Sequence, residues 1–271
     1  MTVSRVDEFS RTDVGAPFTA YADIYDLFQV GKDYDAEVAF VDRLVRRHAT
    51  RLSSPLRLLD LACGTGRHAL AFMELGYSVQ ASDISPAMVT VARRRAEASG
   101  KAIVFHEESF ATCGKLEGPF DVVVAMFASV NYLATVDAFL ELLSNVRSLL
   151  SPGGVFVFDC WNGIAVIRDF EPTRVRRAML GDREVVRESK TTVDVMRQRA
   201  DVEFTFYRAG EHKPVRLFSE RHLLRFFFFQ EMIDLLGLAG FEVLESCPFM
   251  KDGESAAPRD WNVSFVLRVR E

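Results

Sequence analysis

The segment LLDLACGTGRHA, Leu58 to Ala69, holds the densest chemistry in the chain. Gly64, Gly66 and Ala69 fit the G-x-G-x-x-G/A spacing of a strand-to-helix turn that brings backbone against a dinucleotide pyrophosphate. Asp60 stands just ahead of the glycines, where a carboxylate repels a pyrophosphate and attracts a ligand carrying positive charge. The glycines admit either ligand, because they allow a closer backbone approach than any side chain permits. Asp83, at the end of the next apolar run, suits ribose hydroxyls and does not separate the two.

Further along, Asp159, Trp161 and Asn162 follow the apolar run VFVFD, at the kind of strand end where open α/β sheets bind ligands. A carboxylate there can hold an ammonium or a hydroxyl, and the indole can stack on a sugar face; the competing reading is an Asp that caps the next turn. Trp261 can wall the same pocket or pack the core. Asp121 and Asp159 have no third carboxylate at a suitable spacing, so no metal is expected. Cys63, Cys113, Cys160 and Cys247 are scattered without a C-x-x-C pair, which argues against structural zinc and against a disulfide framework. His68 is expected to cap the helix after the glycine turn or to face solvent.

The elements that must position these groups alternate in type. RLLDLA, YSVQASD, AIVFH, FDVVVAMF and VFVFD are short apolar strands, and most of the intervening segments carry a helical period. Ser85-Pro86 reads as an N-cap and first-turn proline, and Gly76 closes the helix before it. This alternation predicts a parallel α/β sheet. From about Arg174 to Arg225 the period changes to two, as in DVEFTFYR, and predicts an inserted antiparallel sheet. FQEMIDLLGLAG resumes the helical period, and FEVLESC and WNVSFVLRV end the chain as two strands with no helix between them.

With 271 residues the chain suits a core domain with an insertion. The expected divisions are a helical N-terminal segment over 1–50, a ligand-binding core over 51–165, the β insertion over 166–227, and a completing helix and strand pair over 228–271. A net charge of −5 gives no footprint for nucleic acid. The polar start MTVSRVDEFSRTDVG has no apolar secretory core, and no run is long enough to span a membrane, so a cytoplasmic setting is expected.

Asp60 before G-T-G, with the antiparallel terminal pair, resembles the class I S-adenosylmethionine (SAM) methyltransferases, whose first strand ends in D/E-x-x-x-G-x-G. The fold this implies is α/β, a Rossmann-like sheet that is parallel apart from an antiparallel terminal strand, with the β subdomain inserted. SAM carries an ammonium and a sulfonium and no phosphate, so Asp60 becomes favourable. YADIYDLFQVGKDYDAEV, LLDLACGTG, VVAMFASVNYL and ERHLLRFF further resemble, in that order, the N-methyltransferases of nucleotide-linked amino sugars. That branch implies a small-molecule acceptor and a homodimer formed through the inserted sheet. An O-methyltransferase of a sugar or natural-product hydroxyl, or an N-methyltransferase of a small amine such as glycine, is the alternative, and a SAM-binding protein without turnover is a more distant one.

By this resemblance Ala62, Gly64 and Gly66 lie against the methionyl part of SAM, Asp83 takes the ribose, and Met126 and Phe127 sit beside the ligand. The adenine is normally held by an Asp after the third strand; here His106-Glu107-Glu108-Ser109-Phe110 leaves Ser109 or Glu108 for that part, beside Phe110. Tyr25, and more weakly Tyr21, belong to a lid that folds over the cofactor, where a ring attracts a cation. Both can equally be helix packing. Methyl transfer relies chiefly on positioning, with Tyr132, His222 and Asp159 as candidates to orient or deprotonate the acceptor and Trp161 and Asn162 to contact it. A histidine in an apolar strand is more often structural, and His222 carries that competing reading.

Overall fold

The computed structural model describes residues 14–15, 17–50, 54–209 and 214–270. The start of the expected N-terminal segment and the polar leader's first 13 residues lie outside them. In chain order the elements are β1 (Val14–Gly15), a 3₁₀ segment (Ala20–Gln29), α1 (Tyr34–His48), β2 (Arg57–Leu61), α2 (Arg67–Glu74), β3 (Ser78–Ser82), α3 (Pro86–Ala98), β4 (Val104–His106), β5 (Phe120–Ala125), α4 (Val136–Leu149), β6 (Leu150–Trp161), α5 (Gly163–Asp169), β7 (Thr173–Leu180), β8 (Arg183–Asp194), β9 (Arg199–Arg208), β10 (Val215–Arg225), α6 (Phe229–Leu238), β11 (Phe241–Pro248) and β12 (Asn262–Val269).

Seven strands form the main sheet in the order β11-β12-β6-β5-β2-β3-β4. The strands from β6 to β4 pair in parallel, while β12 runs antiparallel to both β6 and β11. Both faces are covered, and the two-residue period sorts side chains between them. Leu58, Val122 and Val124 face α1, α2 and α3, whereas Leu59, Val123 and Ala125 face α4 and α6. A fully buried Leu, Val or Phe in such layers contributes about 1.5–3 kcal/mol. Local signals hold as expected: the Ser85 hydroxyl accepts from Met88 N at the start of α3, with Pro86 at the first turn. α5 is an addition, a short helix with Asn162 as its N-cap, which the apolar content around Ile164 did not announce.

The second sheet has the order β1-β10-β9-β8-β7, antiparallel from β7 to β10 with β1 parallel to β10. The expected N-terminal unit divides. α1 buries Val38, Val41, Leu44 and Val45 against the main sheet, while Tyr21, Ile24 and Phe28 of the 3₁₀ segment pack on Val185, Phe206 and Phe218 of the insertion. RFFFFQE is core at its first two rings, Phe226 and Phe227, and opens to solvent at Phe229.

Candidate active site

Two adjoining cavities meet at the carboxyl ends of the main-sheet strands. The first, of about 650 Å³, is lined by the glycine turn, the ends of β3 and β5, and Lys32 and Tyr34. The second, of about 280 Å³, lies between that edge and the inserted sheet. Phe18, Tyr25, Phe127 and Tyr132 line both.

The glycine turn is shaped by left-handed backbone at Ala62 (φ 55°), Gly64 (φ 56°) and Gly66 (φ 75°). A Cβ on Gly64 would meet no atom within 4 Å, so the open side of that residue is cavity. A Cβ on Gly66 would stand 2.9 Å from the Ala92 methyl, so this glycine serves the packing of α3. Asp83 Oδ2 accepts from Gly64 N at 2.8 Å and Oδ1 from Ser85 N at 2.8 Å, which fixes the carboxylate at the cavity wall with lone pairs to spare. Burial raises its pKa against the pull of those two N–H groups.

Asp60 is 1% exposed beneath the turn, with Ala69 N as a donor and Oδ2 without a partner. Desolvation, then Asp83, push its pKa to about 8. Ser82 and Ser129, at the cavity wall, also hold buried hydroxyls without partners. A cradle open at Gly64, a carboxylate at the second strand end and unpaired buried oxygens around them fit a hydroxyl-rich cationic ligand better than a pyrophosphate.

Sequence reasoning overlooked the other side of this cavity. Lys32 Nζ lies 3.2 Å from Glu37 and 3.3 Å from the Phe127 ring centre, and Arg67 reaches Asp26 at 3.2 Å. Lys32 stands in YADIYDLFQVGKDYDAEV and Arg67 in GTGRHA, at positions to which those segments gave no role; they arrive through the lid and the first turn of α2. Met126 and Phe110 also line the cavity. Ser109 and Glu108 both reach it, but the Ser109 hydroxyl is engaged with Thr112 at 3.0 Å.

At the junction, Tyr132 Oη is 2.7 Å from His222 Nδ1. With the imidazole proton on Nε2, the tyrosine donates and Nε2 faces Glu220 Oε2 at 3.6 Å. Glu220 also binds the lid: its carboxylate accepts from Phe18 N, Thr19 N, Thr19 Oγ1 and Tyr21 N. Burial raises the Tyr132 pKa, so its hydroxyl keeps its proton at neutral pH. Trp161 and Trp261 both line the second cavity, edge to face at 5.6 Å.

Three candidates are buried in local contacts, which overturns only the capping or solvent-facing reading of His68. Asp159 lies under the loop after β5: Oδ2 accepts from Ala128 N at 2.9 Å, Oδ1 has no partner, and the residue is fully buried. It holds Phe127 and Ala128 in left-handed conformations (φ 61° and 54°), a positioning task, and burial pushes its pKa to about 7. Asn162 spends its amide on the carbonyls of Ala257 and Asp260 and caps α5. His68 is buried, with Nε2 2.7 Å from Glu37, because α2 packs against α1 there. Asp121, at the opposite end of β5, accepts from Arg57 N, so register separates it from Asp159.

Residues 58–154 match the Methyltransferase domain family. Over 82% of the chain the sequence is 34% identical to a dTDP-3-amino-3,4,6-trideoxy-alpha-D-glucopyranose N,N-dimethyltransferase of Streptomyces venezuelae, covering 90% of that protein. The chain belongs to the class I SAM-dependent methyltransferases. This methyltransferase is also 33% identical to a dTDP-4-amino-2,3,4,6-tetradeoxy-D-glucose N,N-dimethyltransferase of Saccharopolyspora spinosa, over 91% of the chain and 96% of the relative. Its fold matches SAM-bound CalS10, an amino pentose methyltransferase from Micromonospora echinaspora, with a TM-score of 0.72, 25% identity, and coverage of 96% and 100%. SAM is the cofactor of the methyltransferase, and the first cavity fits it.

Proposed function

We propose that this methyltransferase methylates the amino nitrogen of a nucleotide-linked amino sugar. The observation that carries the reading is the Tyr132–His222 pair at the junction of the two cavities, where an acceptor amine would meet the cofactor. The amino-sugar acceptors of the Streptomyces and Saccharopolyspora relatives support the same assignment.

When bound, SAM supplies an electrophilic methyl carbon on a sulfonium. Ala62 and Gly64 would receive its methionyl part, with Gly66 packing α3 behind them and Lys32 and Arg67 for the carboxylate; Asp60 under the turn, protonated in the folded protein, would lose that proton more readily beside the incoming cation. Asp83 would take the ribose, Glu108 the adenine amine in preference to the engaged Ser109, and Met126, Phe110 and Tyr25 would enclose the rest. The protein's own work is mostly positioning, which can supply on the order of 7–11 kcal/mol. The Tyr132 oxygen is placed to accept a proton from the amine as its own proton passes to His222 Nδ1, leaving an imidazolium beside Glu220. Asp159 holds the Phe127–Ala128 loop, and Trp161 flanks the sugar.

Dimerisation through the inserted sheet belongs to this reading. β7 is an edge strand, and Val175 and Met179 on it are more than half exposed. A monomer mass in solution would remove it. A cytoplasmic setting is supported by four unpaired cysteines. No helix among the described residues is long and apolar enough to cross a membrane.

The acceptor assignment is tested with methyl-labelled SAM and a panel of nucleotide-linked sugars, amino and hydroxy, read by product mass. Label on amino sugars alone supports it. Label on hydroxy sugars, or on none while SAM still binds, overturns it.

A further inference from the structure

The wall of the second cavity that belongs to the inserted sheet carries a charge arrangement that nothing in the methyl-transfer chemistry uses. Arg174 and Arg176 alternate along β7, and Arg187 and Ser189 along β8, all four lining the cavity. The strand register sets Arg176 directly opposite Arg187 and Arg174 opposite Ser189. Like charges facing each other across a ladder are destabilising unless something else neutralises them.

Arg187 is 9% exposed. Its Nη1 donates to Tyr21 Oη at 2.5 Å, its guanidinium lies 4.6 Å from the Phe204 ring centre, and its Nε has no partner. Arg176 donates to the Phe28 carbonyl at 3.2 Å. Among the described residues no ion pair joins either arginine to a carboxylate. Glu171, on the same cavity, is spent on Arg174 at 2.6 Å, and Glu220 is spent on the lid amides and the Thr19 hydroxyl. Two positive charges therefore face one cavity, one of them buried with a free donor. Such a charge is costly to bury unless a counter-ion completes it.

We infer that Arg176 and Arg187, with the Ser189 hydroxyl beside them, form the subsite for the diphosphate of a nucleoside diphosphate-linked acceptor. This rests on the nucleotide-sugar reading and deepens it. Guanidinium forks match phosphate oxygens in geometry as well as charge. The subsite is also well placed for the reaction: Phe204 packs against both the Arg187 guanidinium, 4.6 Å from its ring centre, and the His222 ring at 4.7 Å. A sugar tethered by its diphosphate at the arginines therefore lies next to the Tyr132–His222 pair, and the arginines select acceptors that carry the nucleotide handle.

The experiment is calorimetric binding of thymidine diphosphate to the full chain and to Arg176→Gln and Arg187→Gln, with thymidine and S-adenosylhomocysteine as parallel ligands. The expected result is a Kd for thymidine diphosphate raised about tenfold or more in each variant, with thymidine and S-adenosylhomocysteine unchanged. If buried Arg187→Gln loses S-adenosylhomocysteine binding through misfolding, Arg176→Gln, at a more open position, decides alone. Unchanged thymidine diphosphate affinity in a folded variant overturns the subsite, even where the wild type methylates a nucleotide-linked amino sugar. Arginine-dependent binding of thymidine diphosphate, with no methylation of any such sugar, keeps the subsite and overturns the acceptor reading instead.

Discussion

Tyr132 Oη and His222 Nδ1, 2.7 Å apart, join the loop after β5 to strand β10 of the inserted sheet across 90 residues of sequence. In the proposed reading the main sheet holds the cofactor and the insertion the acceptor, so this hydrogen bond would lie where the two substrates meet. Removing either partner should affect turnover more than cofactor binding. Tyr132→Phe is expected to lower kcat by about 100-fold while the Kd for S-adenosylhomocysteine stays within about twofold of wild type. His222→Gln should lower kcat similarly, and the double variant should fall little further, because the two act as one unit. Undiminished turnover in Tyr132→Phe removes the pair from the reaction.

Glu220 ties the lid to the inserted sheet through the amides of Phe18, Thr19 and Tyr21 and the Thr19 hydroxyl. Glu220→Gln replaces one acceptor oxygen by an NH₂ group facing those donors. The expected cost is about 1–3 kcal/mol of local stability. Hydrogen exchange over residues 17–29 should accelerate and S-adenosylhomocysteine should bind more weakly. Unaltered exchange there would mean that the lid is held by its apolar contacts alone.

The two glycines of the turn should separate stability from binding. Gly66→Ala forces a methyl to within 2.9 Å of Ala92 at a φ of 75°, so it should destabilise by about 1–3 kcal/mol in denaturant titration. Gly64→Ala meets open space, leaving only backbone strain of about 1–2 kcal/mol. Its chief effect should be lost S-adenosylhomocysteine affinity.

Burial lifts Asp60 to about 8 and Asp159 to about 7, from an ordinary 3.8. The folded protein thus holds protons that the unfolded chain releases, and their contribution to stability is fully present near pH 4 and lost as pH rises towards 8. His68, whose pKa burial lowers, works in the opposite direction. The difference between wild type and Asp60→Asn isolates the acid: the wild-type Tm should fall more steeply between pH 5 and 8 than that of the variant. Parallel Tm profiles would show that Asp60 does not titrate in that window.

Much of this was legible in local pattern. The period-two runs, the Ser85-Pro86 cap, the turn at Gly64 and Gly66, and the helix-free terminal pair each depend on neighbours in sequence, and each stands where the pattern placed it. The partners of those features were not legible. Glu220 reaches the lid across 199 to 202 residues, and Lys32 enters the first cavity from a position to which its segment's resemblance gave no role. Arg187 shared its face with Val185 and Ser189 in the alternation, so its inward register was visible, but its lack of an acidic partner was not. Asp159 stood at the right strand end, yet one of its oxygens is engaged by the strained Phe127–Ala128 turn. A strand end shows where a group is placed; the surrounding packing decides what it touches.

In the proposed reaction the nitrogen of a nucleotide-linked sugar accepts the methyl group. The most direct measurement is kcat/KM for a dTDP-linked amino sugar against the same sugar with a hydroxyl in place of the amine, with the methylated atom assigned by NMR. The expected result is turnover of the amino sugar with the new methyl on nitrogen, and a kcat/KM for the hydroxy sugar lower by about 10⁴-fold or more. Comparable turnover of the two, or a methyl found on oxygen, would contradict it.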